Sequence, residues 1–271
     1  MFLIVCAFLA LSVCATPVQA RSVRVPGANG LTLNAEIYYP DGPSRGPAII
    51  ALHGCAGPVA VHMRKWTEEL LKAGHIVLYP DSYATRGMSG QCRVRERSVT
   101  ADGLRRGDAI AAAIWLSDQP DTPAGGIVLL GWSDGGTTAL AVASAPVAAN
   151  EDADGIPRRL FRGFVALYPD CQAAANVSGW KPSAPSLILI GEADDWTPIM
   201  PCRKLTGPSV TLIGYPGAYQ DFDSPQPVRV MQNVPMSQNA DMSVHIGGNP
   251  AAAEDARARV IEWVGHLPLP K

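Results

Sequence analysis

The chain has 271 residues, 47% of them hydrophobic, and a formal net charge of -2. That apolar content suits one full α/β core and leaves little room for a second domain. The slightly acidic balance gives no footing for a nucleic-acid binder.

Residues 1–20, MFLIVCAFLALSVCATPVQA, are uncharged and mostly apolar, with Val18 and Ala20 where a signal peptidase reads small residues. They read as a signal peptide, although the n-region has no Lys or Arg. The run is short for a membrane span, and Val13 before Cys14 is a poor match to a lipoprotein site. The expectation is an exported chain, periplasmic or secreted, whose mature form is one domain over 21–271 with no integral membrane span.

Leu31, Leu33, Ala35, Ile37 and Tyr39 alternate with mostly polar neighbours and predict a half-buried antiparallel strand, paired with Ser22 to Val25. The pattern then changes to short continuous apolar runs at Ala48–Leu52, Ile76–Tyr79, Ile127–Leu130, Phe164–Tyr168, Leu187–Ile190 and Val210–Ile213. Runs apolar on both faces fit parallel strands covered by helices on each side. Trp66, Leu70 and Leu71 mark one helix, stopped by Gly74, and Leu104, Ile110 and Ile114 mark another that ends near Pro120. In the last helix Asn249 is the cap, Pro250 lies in the first turn, Val260 and Val264 share a face, and Gly265 is the stop.

Between the run ending at Leu130 and the small-residue segment Gly136 to Ala145 stands Gly131-Trp132-Ser133-Asp134-Gly135. In a strand-to-helix setting G-x-S-x-G presents a serine hydroxyl at the carboxyl edge of a parallel sheet, so Ser133 is the candidate nucleophile. The competing reading is an ordinary strand-to-helix turn. A serine hydroxyl needs a base oriented by an acid, and the acid should come next in the chain. Gly191-Glu192-Ala193-Asp194-Asp195-Trp196-Thr197-Pro198 follows a strand and supplies it. Asp194 is preferred by its G-x-x-D spacing, with Asp195 as the alternative and Asp170, after the preceding strand, as a lesser one. Each could instead cap a loop.

Three motifs, LHGCAG at 52–57, GWSDGG at 131–136 and GEADDWTP at 191–198, together with DSYATRG at 81–87 and YPDC at 168–171, resemble the dienelactone hydrolase family of α/β-hydrolases. The similarity runs over nearly all of 25–265 and points to the subset that uses serine. It implies an α/β-hydrolase fold, with about eight mostly parallel strands and helices on both faces. It also implies hydrolysis of a small ester, lactone or thioester through an acyl-enzyme, with no metal and no organic cofactor. The oxyanion would be bound by backbone N–H groups of Asp134 and of the HGCAG loop at Cys55 or Ala56.

The family pattern places a histidine in a stretch like YPGAYHDFD, where this chain reads Tyr215-Pro216-Gly217-Ala218-Tyr219-Gln220-Asp221-Phe222-Asp223. Gln220 stands in the position of the base, and a carboxamide cannot take the serine proton. His245, in the loop before the last helix, is the alternative base, against its bland reading as a loop histidine. His53 shapes the oxyanion loop, and His62, His75 and His266 carry no assigned role. Two readings follow: a hydrolase impaired at its base, or a catalytically silent fold that binds a small carbonyl compound or a partner.

Without Cys6 and Cys14 the mature chain keeps Cys55, Cys92, Cys171 and Cys202. Four cysteines allow two disulfides in three connectivities, of which the one that joins strand neighbours in an α/β-hydrolase sheet, Cys55 with Cys92 and Cys171 with Cys202, is preferred. The cysteines lack C-x-x-C spacing for a metal. The basic stretch Arg86, Arg93, Arg95, Arg97, Arg105 and Arg106 reads as a solvated loop and helix face, or as a site that attracts an anionic substrate.

Overall fold

The structure, a computed structural model, describes residues 20–124, 126–144 and 160–267. All but the last residue of the expected signal peptide lies outside them.

Eight strands form one sheet: β1 (Arg21–Pro26), β2 (Thr32–Tyr38), β3 (Ala48–Leu52), β4 (Val77–Asp81), β5 (Ile127–Trp132), β6 (Phe161–Leu167), β7 (Ser186–Gly191) and β8 (Val210–Tyr215). Their spatial order is β1-β2-β4-β3-β5-β6-β7-β8. The hairpin β1–β2 is antiparallel and β2 joins β4 antiparallel, while every pairing from β4 through β8 is parallel. The expected two antiparallel and six parallel strands are therefore present. In β2 only Leu33, Ala35 and Ile37 are buried, whereas every residue of β3, β5 and β7 is buried.

Helices α1 (Ala60–Lys72), α2 (Leu104–Ser117), α3 (Asp134–Ala143), α4 (Gln172–Ala175), α5 (Ile199–Arg203) and α6 (Pro250–Gly265) cover the sheet. Trp66 and Leu70 of α1 and Val260 and Val264 of α6 pack with Ile49, Val128 and Leu189 on one face. Ala109, Ala112, Ala113 and Leu116 of α2 pack with Ile50, Leu129 and Val142 on the other. Each large aliphatic side chain fully buried in these layers contributes about 1.5–3 kcal/mol. The Asn249 side chain accepts from Ala252 N at 3.2 Å and caps α6, whose C-cap is His266.

Residues 216–250, too irregular to read from pattern, contain a two-stranded antiparallel ribbon, β9 (Arg229–Met231) and β10 (Val244–Ile246). Val234, Val244 and Ile246 pack there against Cys55 and Trp196. The disulfides are Cys55–Cys92 and Cys171–Cys202, as expected. Among the described residues no helix is long and apolar enough to cross a membrane.

Candidate active site

Strand β5 delivers Ser133 to the carboxyl edge of the sheet and α3 begins at the next residue. Ser133 has φ 53° and ψ -118°, a conformation that costs a non-glycine residue on the order of 1–3 kcal/mol. The turn is held because Ser133 N donates to Leu167 O at 2.9 Å and Thr137 N donates to Ser133 O at 2.9 Å. Its flanking glycines are sterically required: a Cβ on Gly131 would lie 2.2 Å from Gly135 O, and one on Gly135 would lie 2.1 Å from Leu52 O.

Gln220 Nε2 donates to Ser133 Oγ at 2.8 Å. Thr197 Oγ1 lies 2.8 Å from Gln220 Oε1 and 3.1 Å from Asp194 Oδ2. Asp194 Oδ1 accepts from the N–H groups of Trp196 and Thr197, each at 2.9 Å. Four side chains thus form a continuous chain, Asp194–Thr197–Gln220–Ser133. Sequence reading found three of them and missed Thr197. Burial raises the Asp194 carboxyl to about 7, outweighing the hydrogen bonds from Thr197 and Trp196 that favour its charged form.

Asp195 is turned away from this chain. Its Oδ2 meets His245 Nδ1 at 2.8 Å and its Oδ1 accepts from His245 N at 2.9 Å. Asn239 Nδ2 adds a bond at 2.9 Å, and the Tyr219 ring stacks on the imidazole. Burial opposes ionisation of Asp195, but the hydrogen bonds from His245 and Asn239 together carry its pKa below the ordinary carboxylate value. Among the described residues Ser133 Oγ is hydrogen-bonded to Gln220 and the His245 ring to Asp195. Asp170 Oδ1 accepts from Gln172 N at 2.8 Å, in the turn that leads into α4.

The loop after β8 that carries Gln220 is tied down by Asp223, another residue the sequence did not single out. Its carboxylate accepts from Trp66 Nε1 at 2.6 Å, Trp132 Nε1 at 3.0 Å and Tyr168 OH at 2.8 Å. The Gln220 carbonyl accepts from Gly247 N at 2.9 Å.

On the other side of the serine runs the HGCAG loop, where a Cβ on Gly54 would lie 3.5 Å from Ser133 Cβ. Cys55, next to it, is buried and pinned by its disulfide. His53 bridges this loop to the end of β4, with Nδ1 2.7 Å from Gly54 O and Nε2 accepting from Ser82 N at 3.2 Å. Burial, then the nearby Arg105 charge, lowers its pKa to about 3, so it stays neutral with the hydrogen on Nδ1. The Asp134 carboxylate receives Arg105 Nη1 at 2.6 Å, Arg97 Nη1 at 3.2 Å and Tyr83 OH at 3.2 Å. Arg105 is 1% exposed, so the solvated-face reading fails for it: Asp134 and the His53 carbonyl compensate a buried cation. Arg86 is likewise committed, to Asp108 through two bonds of 2.8 Å.

Ser133 opens into a cleft of about 450 Å³ lined by Arg97, Trp196, Thr197, Met236 and Gln238. A larger hollow of about 770 Å³ lies against β1, β2, β4 and the start of α1, but it contains none of the candidate residues. Among the described residues no group of three or more His, Cys, Asp or Glu side chains is arranged to hold a metal.

Several solved structures share this architecture. One described as a putative dienelactone hydrolase from Klebsiella pneumoniae subsp. pneumoniae MGH 78578 superposes with a TM-score of 0.65 at 17% identity, covering 93% of this chain and 100% of that one. The dienelactone hydrolase from Anabaena variabilis ATCC 29413 gives 0.63 at 20% identity, covering 94% and 100%. An esterase from Pyrobaculum calidifontis gives 0.58 at 17% identity, covering 94% and 88%. At these identities the likeness shows the fold. A search of curated proteins found no match. The family model described as the dienelactone hydrolase family matches residues 33–267, most of the chain, and with the eight-stranded sheet in place the chain belongs to that family.

Proposed function

We propose that this protein is an exported serine hydrolase of the dienelactone hydrolase type, acting on a small ester or lactone through an acyl-enzyme on Ser133. The observation that carries the reading is the strained elbow that presents Ser133 with its Oγ hydrogen-bonded to Gln220. The backbone N–H of Asp134, at the start of α3, and that of Cys55 would bind the developing oxyanion, where one donor contributes about 3–4 kcal/mol. Asp194 serves as the acid of the constellation. Two disulfides are compatible with an oxidising compartment. Gln220 slows both steps, because no group at that position removes the serine proton or activates water for deacylation.

The test is the intact mass of the protein after exposure to an activated ester such as p-nitrophenyl acetate. An acetyl adduct should form slowly, persist, map to Ser133 and be absent in Ser133→Ala. No adduct on the folded protein would overturn the acyl-enzyme. That result would favour the second reading, motivated by Gln220 itself, in which the cleft binds a small carbonyl compound or a partner without turnover.

A further inference from the structure

Thr197 Oγ1 has three oxygens within hydrogen-bond distance: Gln220 Oε1 at 2.8 Å, Asp194 Oδ2 at 3.1 Å and Tyr168 O at 3.1 Å. A hydroxyl has one hydrogen and cannot serve them all. With the Thr197 hydrogen kept within the chain instead of on Tyr168 O, two arrangements of hydrogens satisfy every link from Asp194 to Ser133. In the first, neutral Asp194 donates to Thr197, Thr197 donates to Gln220 Oε1, and Gln220 Nε2 donates to Ser133 Oγ. In the second, ionised Asp194 accepts from Thr197, the carboxamide has made a half turn so that Nε2 donates to Thr197, and Ser133 donates to Oε1. The two edges of a carboxamide are nearly equal in shape, so the turn changes hydrogen bonding and leaves packing alone.

We infer that Thr197 is a positioning residue that couples the ionisation of Asp194 to the direction of the Ser133 hydroxyl. Going from the first arrangement to the second releases one proton from Asp194 to solvent and breaks no covalent bond other than that O–H. The Thr197 hydrogen swings from Gln220 to Asp194, and the Ser133 hydrogen swings from the cleft to Gln220. A serine lone pair then faces the cleft, as a nucleophile requires. The groups around Asp194 oppose one another: the hydrogen bonds from Thr197 and Trp196 favour its charged form and burial its neutral form. Asp195 on the same loop raises its proton affinity, while Tyr168, at the end of β6, is bonded to Asp223 and lies near Asp221. Burial of Asp194 puts its titration near neutral pH, where both arrangements are sampled. The coupling is a property of the resting protein and does not depend on turnover.

The side-chain amide resonances of Gln220 test it, assigned in a 1H–15N spectrum by their loss in Gln220→His and followed from about pH 5 to about pH 9. In the wild type they should shift in one step that coincides with titration of the Asp194 carboxyl. Asp194→Asn should abolish the step, Thr197→Val should uncouple it while Asp194 still titrates, and Thr197→Ser should restore it. Resonances that stay flat through the Asp194 titration in the wild type would overturn the inference, and this arm needs no variant of Thr197 to fold. So would a step that survives in Asp194→Asn, or one of equal size in Thr197→Val. None of these outcomes depends on an acyl-enzyme, so failure here and failure of the hydrolase reading are separable.

Discussion

Gln220 Nε2 and Ser133 Oγ share a hydrogen bond of 2.8 Å, and the placement of Gln220 is fixed by its main chain. Its carbonyl accepts from Gly247 N, and residue 220 forms an isolated parallel bridge with Ile246 beside the ribbon. An imidazole introduced there is expected to meet the same hydroxyl. Gln220→His should therefore raise hydrolysis of short activated esters at least about 100-fold, within the range general-base catalysis supplies. Steady-state kinetics on the two proteins decides it. No gain in a folded variant would mean that the scaffold does not support hydrolysis from this position.

His245 is committed to Asp195 through both its ring and its backbone nitrogen. His245→Ala should leave acylation of Ser133 within about two-fold of wild type. Its cost should be stability, on the order of 1 kcal/mol for one partly exposed charge-assisted bond. Parallel acylation rates and urea melts separate the two effects. Abolished acylation at unchanged stability would make His245 the base.

Asp194 should make the protein less stable as pH rises. Its folded pKa is raised from 3.8 to about 7, so the fold prefers the neutral form. That stabilising contribution is complete below about pH 4 and is lost as pH climbs through about 7, amounting to about 4 kcal/mol at most. The difference in unfolding free energy between wild type and Asp194→Asn, measured across this window, should carry that slope. A difference that does not vary with pH would show an ordinary carboxylate.

Arg105 lies buried between Asp134 and the His53 carbonyl. Arg105→Gln leaves the Asp134 carboxylate short of charge and should destabilise the protein by about 3–5 kcal/mol. Chemical denaturation measures this directly. A loss below about 1 kcal/mol would place the compensation of Asp134 mainly on Arg97 and Tyr83.

The sheet was legible because its parallel strands are apolar on both faces, and the last helix because Asn249 and Pro250 mark its start. Strands β9 and β10 were not, since three residues are too few to show a period of two. Ser133 announced itself because the elbow needs small residues at fixed offsets. Thr197 gave no comparable signal, because its role exists only once the loops after β7 and β8 meet. Asp223 was hidden for a related reason: Trp66, Trp132 and Tyr168 lie 157, 91 and 55 residues from it in the chain.

The groups that seat residue 220 belong to the peptide unit, which every amino acid carries. Identity at this place is thereby separated from architecture, and Gln220→His is expected to leave the scaffold standing. Glutamine and histidine codons differ only in their third base, so a single transversion exchanges the amide for the ring.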